Sequence, residues 1–114
     1  MEAHMDTPYF YISELETQLP EIPPDTIVSR TFFSEGQVKA ILFGFAAGQE
    51  LSEHTAARPA ILHFLKGEAQ LVLGGEPQRA SPGTWVYMQP KLAHSVQAET
   101  ELVMLLYLLE GAAG

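Results

Sequence analysis

The chain has 114 residues, with 14 Asp and Glu against 6 Lys and Arg, a formal net charge of −8, and no cysteine. That length gives room for one domain and one core. The charge argues against a nucleic-acid partner, which needs clustered cations, and the missing thiols exclude disulfides and thiolate chemistry.

Residues 1–4 carry no signal and are compatible with an expression remnant ahead of a native Met5. Residues 8–13 (PYFYIS) are aromatic and β-prone, and read as a first strand or an arm. Ser13 followed by Glu16 forms a capping-box pattern that predicts a helical turn. Pro20, Pro23 and Pro24 limit it to one or two turns. Residues 25–33 predict a strand closed by a turn over 34–36. Residues 38–46 (VKAILFGFA) predict the next, apolar enough to be covered on both faces. Gly44 within it marks a bend or a close backbone approach.

Extended chain follows over 50–54, then a loop over 55–59 and a strand over 60–66. Lys66-Gly67-Glu68 turns into a strand over 69–73, and Gly74-Gly75 reads as a hairpin turn. Residues 76–80 read as a solvated polar segment. Ser81-Pro82-Gly83 turns into a strand over 84–88, and Gln89-Pro90-Lys91 turns toward short strands over 94–97 and 102–109. Residues 102–109 are the longest apolar run, far short of the ~20 residues of a membrane helix. No export signal opens the chain, so a cytoplasmic protein without a membrane partner is expected. Short strands at this rhythm predict an all-β sandwich or barrel over residues 9–110, with tails at 1–8 and 111–114.

Two stretches echo one another. GQELSEHTAARPAILHFLKG, from Gly48 to Gly67, has a glycine, His54, an apolar run and a closing glycine. GTWVYMQPKLAH, from Gly83 to His94, has a glycine, an apolar run, a proline turn and a histidine. These stretches resemble the two motifs of the cupin superfamily, commonly written G-x5-H-x-H-x3-E-x6-G and G-x5-P-x-G-x2-H-x3-N. Gly48, His54 and Gly67 match the first, with Ala56 at the second histidine and Ala60 at the glutamate. Gly83 and His94 match the second, while Gln89, Lys91 and Ala98 depart from it. The resemblance implies a cupin-like jelly-roll barrel (double-stranded β-helix). In such a barrel the histidines and glutamate hold a metal, and two of those four ligand positions survive here.

Strand alternation then assigns faces. With the family phase kept, Ala60, Leu62 and Phe64 face the interior, and Ile61, His63 and Leu65 face outward. The expected ligand pocket comprises His54, Ala56, Ala60, Leu62, Phe64, His94 and Val96, with His54 and His94 as the metal candidates. His63 is a weaker metal candidate, because parity turns it away unless a bulge resets the phase. Trp85, Tyr87, Met88 and Met104, with Phe43, Phe45, Phe64 and Tyr107, are expected to form an apolar interior. Two alanines in place of His and Glu are expected to leave an enlarged, drier cavity. Arg58 stands at the barrel mouth, as a solvated arginine or as a grip for a carboxylate. Ser52-Glu53-His54 is not a catalytic triad, since alternation turns Glu53 from its neighbours and no nucleophile elbow surrounds the serine.

A barrel that binds a small organic ligand, with its metal site partly lost, is therefore the expected function. The alternative is a metal-dependent enzyme of dioxygenase, isomerase or lyase type using His54 and His94. A divalent zinc, iron, manganese or nickel ion is expected to be held weakly at most. Apolar side chains on both faces of the strands over 38–46 and 102–109 predict a homodimer, because one barrel interior covers only one of those faces.

Overall fold

Beyond Pro24 the apolar residues follow strand alternation rather than helical spacing, and the computed structural model realises them as nine strands. The structure describes residues 8–110, so the expectations for residues 1–7 and 111–114 fall outside it. The strands are β1 (Ile27–Glu35), β2 (Val38–Phe45), β3 (Glu50–His54), β4 (Ala60–Lys66), β5 (Ala69–Leu73), β6 (Glu76–Ala80), β7 (Trp85–Met88), β8 (His94–Ala98) and β9 (Leu102–Leu109). They form a five-stranded sheet in the order β1-β2-β9-β4-β7 and a four-stranded sheet in the order β3-β8-β5-β6. Every pairing is antiparallel. Apart from the β1–β2 and β5–β6 hairpins, each connection crosses between the sheets, which makes a jelly roll. Among the described residues no helix is long and apolar enough to cross a membrane.

Alternation decides what the two sheets bury. Phe45, Phe64, Leu62, Leu71, Val96 and Met104 point between them and keep at most 2% of their surface. Ala60, Leu62 and Phe64 are buried and Ile61, His63 and Leu65 half-buried, as parity required. In β7 the inward residues are Val86 and Met88. Trp85 and Tyr87 face out, 57% and 52% exposed, contrary to the interior place expected for them. Tyr107 likewise packs on the outer face, with Leu42, Val103 and Leu105. A large aromatic side chain says little about its own face, and the pairings of Tyr87 and Tyr107 with Ile61 put all three on one side.

The segment over 76–80 is solvated as expected, with only Ala80 buried, and it forms strand β6. The Gly74-Gly75 turn, with φ of 58° and 86°, folds it back onto β5 in register from Leu73↔Glu76 to Ala69↔Ala80. Its polarity and Pro77 suit an edge strand, where one side of the ladder needs no donor. The strand expected over 25–33 runs on to Glu35, and Gly36 opens the turn. Arg79 of β6 donates hydrogen bonds to Glu99, which also accepts one from Gln70. These bonds, with the charge of Arg79, hold the Glu99 carboxyl below its ordinary range.

Residues 8–24 form an arm rather than a strand. Its one helical turn, Leu15–Gln18, is a 3-10 helix capped by Glu14, whose carbonyl accepts from the Thr17 amide and hydroxyl. Ser13 is not the cap, and no side chain caps the turn. With four residues and prolines close behind, no α-helix propagates. Leu15 and Leu19 lie against Leu42, Val103 and Leu105 on the outer face of the five-stranded sheet. Phe10 meets Phe33 at 5.2 Å between ring centres. Gly44 is the close approach its position suggested: a Cβ there would stand 2.6 Å from Ile22 Cδ1 and 2.8 Å from Leu19 Cδ2.

Candidate functional site

His54 ends β3 and His94 begins β8, and the two are direct cross-strand partners. Plain alternation from the Leu51↔Val96 pair would set Glu53 opposite His94. A bulge between Leu51 and His54 adds one residue to β3 and turns His54 to the face of His94 instead. His94 shares that inward face with the buried Val96 and Ala98. The rings stand 4.3 Å apart between centres, tilted by 57°. His94 is buried, with 8% exposure, and His54 is exposed, so the pair sits at the barrel rim.

Hydrogen bonding sets the tautomers. His54 Nδ1 lies 2.8 Å from the Ser52 carbonyl oxygen, and His94 Nδ1 lies 2.9 Å from that of Leu92. A carbonyl only accepts, so each Nδ1 carries the proton, and in the neutral ring each Nε2 keeps its lone pair. Both contacts run to the residue two positions earlier, so the two motifs repeat one local geometry. Ser52 and Leu92 were missed by sequence reasoning for a plain reason. Their contribution is a backbone carbonyl, which any residue type offers.

Around the pair, the β3–β4 and β7–β8 loops are tied together by the Lys91 amide donating to the Ala56 carbonyl at 2.7 Å. Ala56 is half-buried at this rim, and Lys91 adopts a φ of 71°. Arg58 is half-buried and already engaged at the end of β9. Its Nε donates to the Leu109 carbonyl at 3.0 Å, and its NH2 pairs with Glu110 at 3.5 Å, anchoring the end of β9.

The deeper pocket candidates lie in the apolar core. Ala60, Leu62, Phe64 and Val96 are core residues that keep 0–2% of their surface. Ala60 is flanked in the sheet by Met88 of β7 and Leu108 of β9, its cross-strand partners, and all three belong to the apolar core. His63 is half-buried on the opposite face of β4, between Trp85 and Leu105, and does not join the pair.

Two imidazoles on facing strands with bare Nε2 atoms are what a metal site requires of its histidines. The rest of the donor set falls short. Positions 56 and 60 are alanine, and no group of three or more His, Cys, Asp or Glu stands together among the described residues. A catalytic zinc or non-haem iron centre takes three protein donors, so these residues do not fit a firmly held ion.

The profile of AraC-like ligand-binding domains matches residues 41–113, which include both histidines and every strand from β3 onward. The chain belongs to the AraC-like ligand-binding domain family. This AraC-like domain is a small cupin-superfamily protein, as its two motifs implied. No curated protein is similar enough to be matched. Among solved structures, it is similar to a conserved protein of unknown function from Streptococcus pyogenes, at 23% identity over 99% of this chain and 98% of that one, with a TM-score of 0.80. It also resembles a cupin 2 conserved barrel domain protein from Leptotrichia buccalis, at 27% identity over 87% of this chain and 47% of that one, TM-score 0.76. Salicylate 1,2-dioxygenase from Pseudoaminobacter salicylatoxidans shares the fold at 14% identity over 78% of this chain and 28% of that one, TM-score 0.70.

Proposed function

We propose that this AraC-like domain binds a small organic molecule at the barrel rim, against His54 and His94. The observation that carries the reading is the pair of Nδ1–H···O=C bonds, which leaves an Nε2 acceptor on each of two rings 4.3 Å apart between centres. Such acceptors suit a guest with a hydroxyl group, or a weak acid that passes its proton to a ring. The family's ligand-binding character supports the same reading. A guest at the rim has His54 exposed to meet it, whereas Ala60, Leu62, Phe64 and Val96 beneath are buried.

The test is a titration of small alcohols, phenols and hydroxy acids, salicylate among them, followed by the ring 15N resonances of both histidines. Binding should move both Nε2 signals and weaken several-fold to tenfold in His54→Ala and in His94→Ala, the loss of one or two hydrogen bonds. Binding unchanged in both variants would place the ligand elsewhere.

The second reading, a metal-dependent enzyme, draws on the fold shared with salicylate 1,2-dioxygenase. It needs a third donor that the rim does not supply. Zinc or ferrous ion should therefore bind weakly and leave on dialysis against chelator. Tight stoichiometric binding lost in His63→Ala would favour the enzyme instead.

A further inference from the structure

We infer that the guest of the rim carries a carboxylate, and that Lys39 receives it across the barrel mouth from the histidine pair. This rests on the rim-binding reading above. Alternation along β2 sets Phe45, Phe43, Ile41 and Lys39 toward the other sheet, and both phenylalanines are packed into the core there. The ladder keeps that phase to the end of the strand, with Lys39 opposite Leu108, which packs against the same core. Val38 and Ala40, on either side of Lys39, line the outer groove instead. Lys39 is therefore a half-buried cation on the inward face, where β2 otherwise presents hydrophobic side chains.

Backbone hydrogen bonds put Lys39 and the histidines at one end of the barrel. Leu109, next to Leu108, donates its amide to the Pro59 carbonyl, in the loop that leaves His54. That loop is tied through Ala56 to Lys91, three residues before His94. β2 crosses into β3 over residues 46–49, so the start of β2 and the end of β3 lie toward the same mouth. The two inward faces stand ~10 Å apart, the ordinary separation of packed sheets, and the flexible stem of a lysine reaches into that gap.

Charge selects what spans it. Arg58, Lys66 and Arg79 are each paired with a carboxylate, in a chain of net charge −8. Lys39 has no such partner among the described residues. Its row across the sheet, Ser34, Lys39, Leu108, Ala60 and Met88, holds no carboxylate. The row of the histidines does hold one, Glu76, but beyond Leu73 on β6, at the edge of the sheet away from β3. Lys91, at the same end, is unpaired as well but exposed, so water already serves its ammonium. A partly desolvated ammonium gains most from an ionised acceptor. With the Nε2 atoms taking a hydroxyl and Lys39 a carboxylate, the ligand class is a small hydroxy acid. A neutral alcohol or phenol meets only the histidine half of the site.

The probes are 3-hydroxybenzoate and 3-hydroxybenzyl alcohol, which differ in charge and hardly in shape. Isothermal titration should find the acid bound ~10- to 100-fold tighter than the alcohol, the worth of one charge-assisted hydrogen bond. In Lys39→Met, which keeps an apolar stem, the acid should fall to the level of the alcohol while the alcohol is unchanged. Lys39→Arg should keep the preference. Equal affinities of the two probes for the unmodified protein would overturn the inference. So would a preference that survives Lys39→Met with native circular dichroism, or one lost in Lys91→Met instead. In each of these cases histidine 15N shifts show that binding at the rim stands without Lys39. Should Lys39→Met fail to fold, the Lys39 side-chain resonances of the unmodified protein decide, moving with the acid and not with the alcohol. If neither probe binds, the rim-binding reading falls and this inference with it.

Discussion

Ala56 and Ala60 decide the chemistry of the rim more than the histidines do. Two neutral imidazoles leave most of a cation's coordination to water and supply no negative charge, so affinity stays low. Ala56→His with Ala60→Glu would restore the full ligand set that the motif carries in cupins. The double variant should gain zinc affinity by a factor of ~100 or more, since each added protein donor also adds orientation. Isothermal titration on both forms checks this. Ala60→Glu alone should instead destabilise the fold by several kcal/mol, because position 60 is buried between Met88 and Leu108 and its carboxylate would have no partner. A lower urea midpoint for that single variant, recovered in part by zinc in the double variant, is the expected pattern.

At the scale of elements, the arm is the part least determined by the barrel. It holds to the outer face through Leu15, Leu19 and Ile22 rather than through a strand ladder. Gly44 is where it comes closest, and the atoms it meets are the ends of flexible side chains. Gly44→Leu should therefore lift the arm without unmaking β2, at a cost of about 1–3 kcal/mol. Limited proteolysis should cut within residues 8–24 of the variant while the barrel stays intact. Equal susceptibility in the two proteins would show that the arm is not held there. Strand boundaries were the most legible elements: β4, β5 and β9 occupy the spans their apolar runs predicted, because turns at glycine and proline punctuate them. β6 was not legible, since an exposed edge strand needs no apolar alternation and its pairing is imposed by the Gly74-Gly75 turn.

For the whole molecule, the crossings between sheets carry the closure of the barrel. The β4–β5 crossing turns at Gly67, with a φ of 90°, and a Cβ there would fall on the Glu101 carbonyl oxygen of the β8–β9 crossing. Glu99 and Thr100 of that second crossing donate their amides to Glu68, so the two turns are packed backbone on backbone. Gly67→Ala should therefore cost at least ~3 kcal/mol, combining left-handed strain with a clash that no side chain can relieve. Urea unfolding checks it, and a loss under ~1 kcal/mol would show that the crossing gives way easily.

The sequence by itself determined the all-β class, most strand spans, the inward set Ala60, Leu62 and Phe64, and the two histidines that meet. These follow from period-two alternation, turn chemistry and motif spacing, all of which are local. Only the tertiary structure decided which large aromatics stay outside, that Met88 and Leu108 flank Ala60, and that Arg58 holds the end of β9. It also supplied the β3 bulge, without which Glu53, not His54, would face His94. Each of these depends on which strand lies alongside, and a neighbour brought in from 22 or more residues away leaves no mark on local periodicity.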